Sequence, residues 1–249
     1  MGTRKLLNES SPRRIISYHN IKQIKSSNNT NFALTDKGVL VGWGEDVGQT
    51  PHLLIPLSRN PIVWAISNYN QLIIRSERSC QVFQKIQNLH YYYAFYSNVS
   101  TNHKQIIGAS CGVDHGLLLC ADGSVVPYAE NSKLLFGAPL KSAMQLYNGF
   151  TVSVVPINEK IVKVASGAYH NVVLSENGNV HVWGENKYGQ LGVGDQMDHE
   201  NVMKLNFLEM VDDIICGEYH TILITKKREA FVFGNNKSGQ LGIGKDIEI

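Results

Sequence analysis

The sequence predicts an all-β chain, a β-propeller of about five four-stranded blades with the last blade completed by the N-terminal segment, and three observations carry that reading. The first is a repeat: residues 167–194, GAYHNVVLSENGNVHVWGENKYGQLGVG, return at 217–244 as GEYHTILITKKREAFVFGNNKSGQLGIG. The second is its period, because copies spaced at about 40–50 residues, each holding several short strands, are the signature of propeller blades. The third is the absence of any helical apolar period lasting ten residues.

Three weaker copies lie upstream. Residues 112–131 fall on the unit at 167 without a gap, through Gly112, His115, Leu119, Gly123, Tyr128 and Asn131. Residues 67–84 do so through Tyr69, Ile74, Val82 and Phe83, and residues 31–44 through Asn31, Leu34, Gly38, Trp43 and Gly44. The units therefore start near 27, 67, 112, 167 and 217, and with no low-complexity linker between them residues 1–249 read as one domain.

Each unit opens on a short apolar run ending in small residues, such as IVKVAS or VDDIIC, which predicts a first strand. The β-branched runs NVVLS and TILIT predict a second. Turn signals follow, Asp36-Lys37-Gly38, Asp122-Gly123 and Glu176-Asn177-Gly178, and then an alternating third strand, VHVWG or AFVFG. The next stretch, GENKYGQLGVG, carries four glycines in eleven positions, which forbids a regular element and predicts a tight loop with positive φ angles. The last unit stops before its fourth strand, and Pro12–Ile16 at the other end of the chain resembles the missing strand in position. Supplying it there would remove an exposed sheet edge.

Composition bounds the function. With 43% hydrophobic and 18% charged residues the chain is globular, and a net charge of +2 gives no footprint for nucleic acid or for a strongly acidic partner. The four cysteines form no CxxC pair and no zinc spacing, so they read as buried thiols in a reducing compartment. No stretch approaches a membrane span, and no metal site or cofactor is expected.

Gly-x-x-His, a strand, a turn glycine, an aromatic-glycine pair and then Gly-Gln-Leu-Gly-x-Gly together resemble the repeat of the regulator-of-chromosome-condensation family. The resemblance is close at 167 and 217, fair at 112 and 31, and faint at 67. It implies a propeller, usually of seven blades; five visible units imply a smaller ring, two divergent blades, or part of a longer protein. It also implies a guanine-nucleotide exchange factor for a small GTPase of the Ran or Rab type, acting without covalent chemistry from one propeller face. The short Asn/Lys-rich repeats are similar to those of Legionella effectors of this kind. The location implied is cytoplasmic, in a host cytosol for an effector, with the nucleus open, and the expected state is monomeric.

His115, His170 and His220 recur at one repeat position, so they read as packing residues between blades, and Trp43 and Trp183 as space-fillers between sheets. The two positions between Gly and His differ from unit to unit while their neighbours are fixed. That makes them the place for blade-specific function, or else solvated loop residues. On the resemblance, Asp114 and Glu218 are the candidate carboxylates that displace nucleotide, and Tyr169 and Tyr219 candidate partner contacts. The run LHYYYAFYSN at 89–98 adds Tyr91, Tyr92, Tyr93 and Tyr96 as a candidate aromatic contact surface or a buried strand with one wet face. The alternative function is a non-catalytic propeller scaffold for a cellular protein.

Overall fold

The structure, a computed structural model, describes residues 20–27, 30–44, 48–53, 62–67, 71–76, 80–85, 93–98, 104–113, 115–129 and 154–244, and between 48 and 98 it describes the backbone alone. Residues 12–16, the segment 132–150, Asp114, Tyr91 and Tyr92 lie outside the described residues. All the regular elements described are strands. The first sheet runs β1 (Ile21–Ser27), β2 (Thr30–Thr35), β3 (Leu40–Gly44), β4 (Gly48–Leu53), and the second β5 (Ile62–Ser67), β6 (Gln71–Ser76), β7 (Cys80–Lys85), β8 (Tyr93–Asn98). The third holds β9 (Ile106–Cys111), β10 (His115–Cys120) and β11 (Val125–Ala129). The fourth runs β12 (Ile161–Ser166), β13 (His170–Ser175), β14 (Val180–Gly184), β15 (His199–Lys204), and the fifth β16 (Val211–Cys216), β17 (His220–Thr225), β18 (Ala230–Gly234).

Within every sheet neighbours are consecutive and antiparallel, and the first strands approach one another in the order β1, β5, β9, β12, β16. Sheets that meet along their first strands in chain order are the blades of a propeller. Each blade repeats one irregularity. The register of the first strand against the second slips at Ile21/Gln23, Ile62/Trp64, Ile161/Lys163 and Val211/Asp213, and at Leu119/Cys120 in the third blade. A bulge leaves one residue unpaired and turned away from the ladder. That is why Ile107 and Val162, at the slipped position, are exposed on strands whose other residues are buried or half-buried.

The turn glycines have the conformation that their place in the sequence predicts: φ is 74° at Gly38, 82° at Gly123 and 80° at Gly178. Blade 5 departs, with Arg228 at φ 68°. The glycine is also a spacer, because a Cβ on Gly178 would press on Met210 and Val211 of the next blade.

The core is made between blades. Trp183 is fully buried with Leu117, Leu119 and Val125 of blade 3 around it, which bears out its expected role between sheets. Val172, Leu174 and Val182 of blade 4 close against Ile214 and Leu223 of blade 5. Each such side chain taken fully from water is worth about 1.5–3 kcal/mol, and β13 is buried along its whole length because a neighbouring blade covers each face.

The histidines fix the spacing at the blade junctions. Gly112, Gly167 and Gly217 donate their N–H to the carbonyls of His115, His170 and His220 at 2.7, 2.8 and 2.9 Å. Each imidazole then lies so close to its glycine that a Cβ there would overlap the ring. The far nitrogen reaches the next blade: His115 Nε2 meets Asn171 Oδ1 at 3.1 Å, and His170 Nε2 meets Thr221 Oγ1 at 3.1 Å. The sequence predicts loop carbonyls as partners, whereas side chains one residue past the next histidine serve instead. The Thr221 hydroxyl donates to the Gln190 carbonyl at 2.7 Å, so His170 Nε2 donates to Thr221. Main-chain bonds follow the same path, from Val113 N–H to Ala168 C=O at 3.0 Å and from Ala168 N–H to Glu218 C=O at 2.8 Å.

Burial, with the nearby His115 and His220 adding to it, pushes His170 down to about 3. Folding therefore favours the neutral ring. The stability it contributes is fully present above the unfolded value of about 6.5 and is lost progressively as pH falls towards the folded value. Urea unfolding should show stability dropping between pH 7 and pH 5 with a slope approaching about 1.4 kcal/mol per pH unit. In His170→Asn the protein should be less stable at pH 7 and its slope flatter; an unchanged slope would rule out this histidine as the source.

Candidate functional site

The loops between first and second strands and those after third strands meet at one rim of the propeller. Glu185 N–H donates to the Tyr169 carbonyl at 2.9 Å and Asn235 N–H to the Tyr219 carbonyl at 2.8 Å. Gly184 and Gly234, the glycines of the aromatic-glycine pairs, permit this with φ of 111° and 112°, since a Cβ would strike the Tyr169 or Tyr219 carbonyl.

The Gly-Gln-Leu-Gly loop that follows is held by its own polar side chains. Asn186 is fully buried, accepts from Leu191 N–H at 2.9 Å and donates to the Asp195 carbonyl and carboxylate, both at 2.9 Å. Gln190, also buried, accepts from Tyr188 N–H at 2.8 Å. Blade 5 repeats both devices with Asn236 on Leu241 at 3.1 Å, part-buried, and Gln240 on Ser238 at 2.8 Å, exposed.

This scaffold raises a cluster across the junction of blades 4 and 5. The Tyr188 and Tyr219 rings pack edge to face, 5.5 Å between centroids at 67°. Lys187 and Lys237 place their ammonium groups 5.6 and 5.3 Å from the Tyr188 ring centre, within cation–π range. Carboxylates border the other ring. Partial burial raises the Tyr219 hydroxyl above its ordinary value, with Glu218, Glu185, Tyr169 and Tyr188 adding to the effect. Partial burial likewise raises Glu185, reinforced by the Asp198 carboxylate and opposed by Lys187.

Of the predicted residues, the structure brings Glu218, Tyr169 and Tyr219 together at this rim. Asp114 lies outside the described residues, between Val113 and His115, which occupy the equivalent loop of blade 3. Tyr93 and Tyr96 belong to β8, the outermost strand of the second sheet by strand order, outside the junction of blades 4 and 5. Sequence reasoning missed Glu185, Lys187, Tyr188 and Lys237. A signal existed for Tyr188, since ENKYGQLG and NNKSGQLG differ there, but the shared glycines direct attention to loop construction.

Chemically the cluster is a recognition surface, with an aromatic pair at its centre, two ammonium groups on one side and carboxylates on the other. Among the described residues no group of three or more His, Cys, Asp or Glu side chains could hold a metal ion. Two histidines do meet carboxylates, His181 with Glu159 and His199 with Asp195, both at 3.1 Å. The first pair belongs to a bonded network in which Asn179, together with Ser175, His181 and Lys204, holds the Glu159 carboxyl down to about 2.

Comparison with known proteins decides the repeat. The pattern of the regulator of chromosome condensation (RCC1) repeat matches residues 161–190 and 211–240, and a second form of it matches 177–224. These blades are RCC1 repeats. Among curated proteins, the mitochondrial protein FMP25 of Saccharomyces cerevisiae is 26% identical over 209 residues, 66% of this chain and 36% of that one. Human RCC2 is 34% identical over 98 residues, 38% of this chain and 17% of that one. Among solved structures, Prp20p from Saccharomyces cerevisiae matches with a TM-score of 0.74 at 16% identity, over 90% of this chain and 60% of that one. Human WBSCR16 matches with a TM-score of 0.70 at 16% identity, over 86% and 60%. At such identities the likeness establishes the propeller fold. The chain spans about a third or less of the two curated relatives and about 60% of the two solved chains.

The loop anchors differ in burial, and their loss should differ in cost. Asn186→Ala leaves buried donors and acceptors unmatched and should lower stability by about 1–3 kcal/mol. Asn236→Ala, whose bond to Leu241 is only part-buried and whose bond to Gly244 is exposed, should cost less than about 1 kcal/mol. Thermal unfolding of the two variants side by side measures the difference, and equal losses would contradict the assigned role of Asn186.

Proposed function

We propose that the chain binds a small GTPase of the Ran or Rab type through the rim that carries the Gly-x-x-His loops, and accelerates release of its nucleotide. One observation carries this reading: at the junction of blades 4 and 5 the rim gathers three tyrosines and two lysines that blade construction does not use, beside Glu218 and Glu185, the latter also reached by Gln190 Nε2 at 3.5 Å. Tyrosines supply rigid, amphipathic contact area, and flanking charges of both signs give a partner register. The repeat supports the same reading, as does the fold likeness to Prp20p, a protein described by its binding to Gsp1p and histones.

Exchange needs no covalent step. A factor that binds the nucleotide-free GTPase better than the loaded one shifts the population towards release. A carboxylate on the rim can assist by competing for the lysine that holds the phosphates, and Glu218, together with Asp114 at the equivalent sequence position of the third unit, is proposed for that role. The proposed site of action is the cytosol or nucleus, where such GTPases turn over.

The measurement is release of fluorescent GDP from a panel of Ran and Rab proteins. Acceleration is expected with at least one of them, and Tyr219→Ala and Glu218→Ala should each slow it at least about tenfold, or about 1.4 kcal/mol. Binding without acceleration would favour the scaffold reading, in which the same rim holds a protein without acting on its nucleotide. No binding to any member would remove the GTPase reading.

A further inference from the structure

The cations of blades 4 and 5 are not all used alike. Lys160, Lys163, Lys204, Lys227 and Arg228 each have a carboxylate within reach of an ion pair. Lys187 and Lys237 make no ion pair among the described residues, and both turn instead to one aromatic ring, that of Tyr188, at 5.6 and 5.3 Å from its centre.

The two lysines are one device built twice. Each stands three residues before the glutamine of its loop, in ENKYGQLG and NNKSGQLG. One belongs to blade 4 and the other to blade 5, so their ammonium groups converge because the blades stand side by side. Both are exposed, with Tyr188 half-buried beside them. Their loops are already ordered: the Tyr188 N–H donates to Gln190 Oε1 at 2.8 Å, and the Lys237 N–H to Asn235 Oδ1 at 2.9 Å. A ligand that meets ordered loops spends little entropy in fixing them.

Two ammonium groups brought to one ring repel each other, and an anion bound beside them relieves that repulsion. A nucleic-acid backbone is a poor source of that anion. It needs a track of several cations, whereas here Glu218 and Glu185 border the Tyr219 side of the same cluster and would repel phosphates. A protein surface carries both signs within a few residues and can meet both sides of the cluster. We propose that Lys187, Lys237 and the Tyr188 ring bind an acidic segment of a protein partner, which, on the GTPase reading, belongs to the GTPase. The lysine pair supplies affinity and orientation, and Glu218 acts on nucleotide release.

The site is tested first without a GTPase, by fluorescence anisotropy of a labelled Glu-Gly repeat peptide at low salt, with a Gln-Gly repeat as the neutral control. The whole chain should bind the acidic peptide alone, and Lys187→Gln combined with Lys237→Gln should weaken binding at least about tenfold. Lys226→Gln, in the β17–β18 turn at the other end of the blade, should leave it unchanged. With a GTPase that the chain accelerates, the double variant should raise the half-saturating concentration by a similar factor and flatten its dependence on salt. Glu218→Ala should act instead on the rate at saturation. A wild-type chain that does not bind the acidic peptide overturns the proposal, as does binding that survives in the double variant or falls equally in Lys226→Gln. A half-saturating concentration that does not move overturns it as well. Peptide binding lost in the double variant of a chain that accelerates no GTPase would uphold the acidic-segment site and remove only the exchange reading.

Discussion

The junctions of the last three blades depend on an imidazole packed close against a glycine. Because Gly112, Gly167 and Gly217 have no Cβ, the histidine three residues later can fold back over the backbone and still accept the glycine N–H through its own carbonyl. The ring is then aimed sideways, out of its own sheet and into the next, where a side-chain oxygen receives it. The same geometry brings the residue after each glycine into main-chain contact with its counterpart in the following blade. One local motif thus fixes the turn, the spacing between blades and the direction in which they accumulate.

That construction divides the residues of the rim into two kinds. The glycine and histidine are consumed by packing, and so are Asn186 and Gln190, whose amides replace regular secondary structure in the loop that follows. Side chains at the positions between them project where packing makes no demand. Tyr169, Glu218 and Tyr219 come from such positions, and Lys187, Tyr188 and Lys237 join them from the neighbouring loop. A rim built in this way can change its partner without disturbing the core.

Strands, turns and loop starts were legible in the sequence because each has a local cause. Gly38, Gly123 and Gly178 announce positive φ, the β-branched runs announce β13 and β17, and the repeated register identifies the blades. The bulge in every first strand was not legible, since the sequence marks the run IVKVAS but not which of its residues will be left unpaired. The role of the histidines was half legible: their recurrence implies packing, but nothing local says that Asn171 and Thr221, more than fifty residues away, are their partners. The rim cluster was the least visible part, because Tyr188 and Tyr219 lie in different units and become neighbours only when two blades are placed side by side.

By itself the sequence determined the all-β class, the unit and its boundaries, and which residues repeat, because those follow from short-range sterics and hydrogen bonding written again in each copy. Only the tertiary structure decided which side chains meet across a junction and which charges gather around Tyr188 and Tyr219. Those contacts are set by the rotation from one blade to the next, a quantity that arises from the packing of whole sheets.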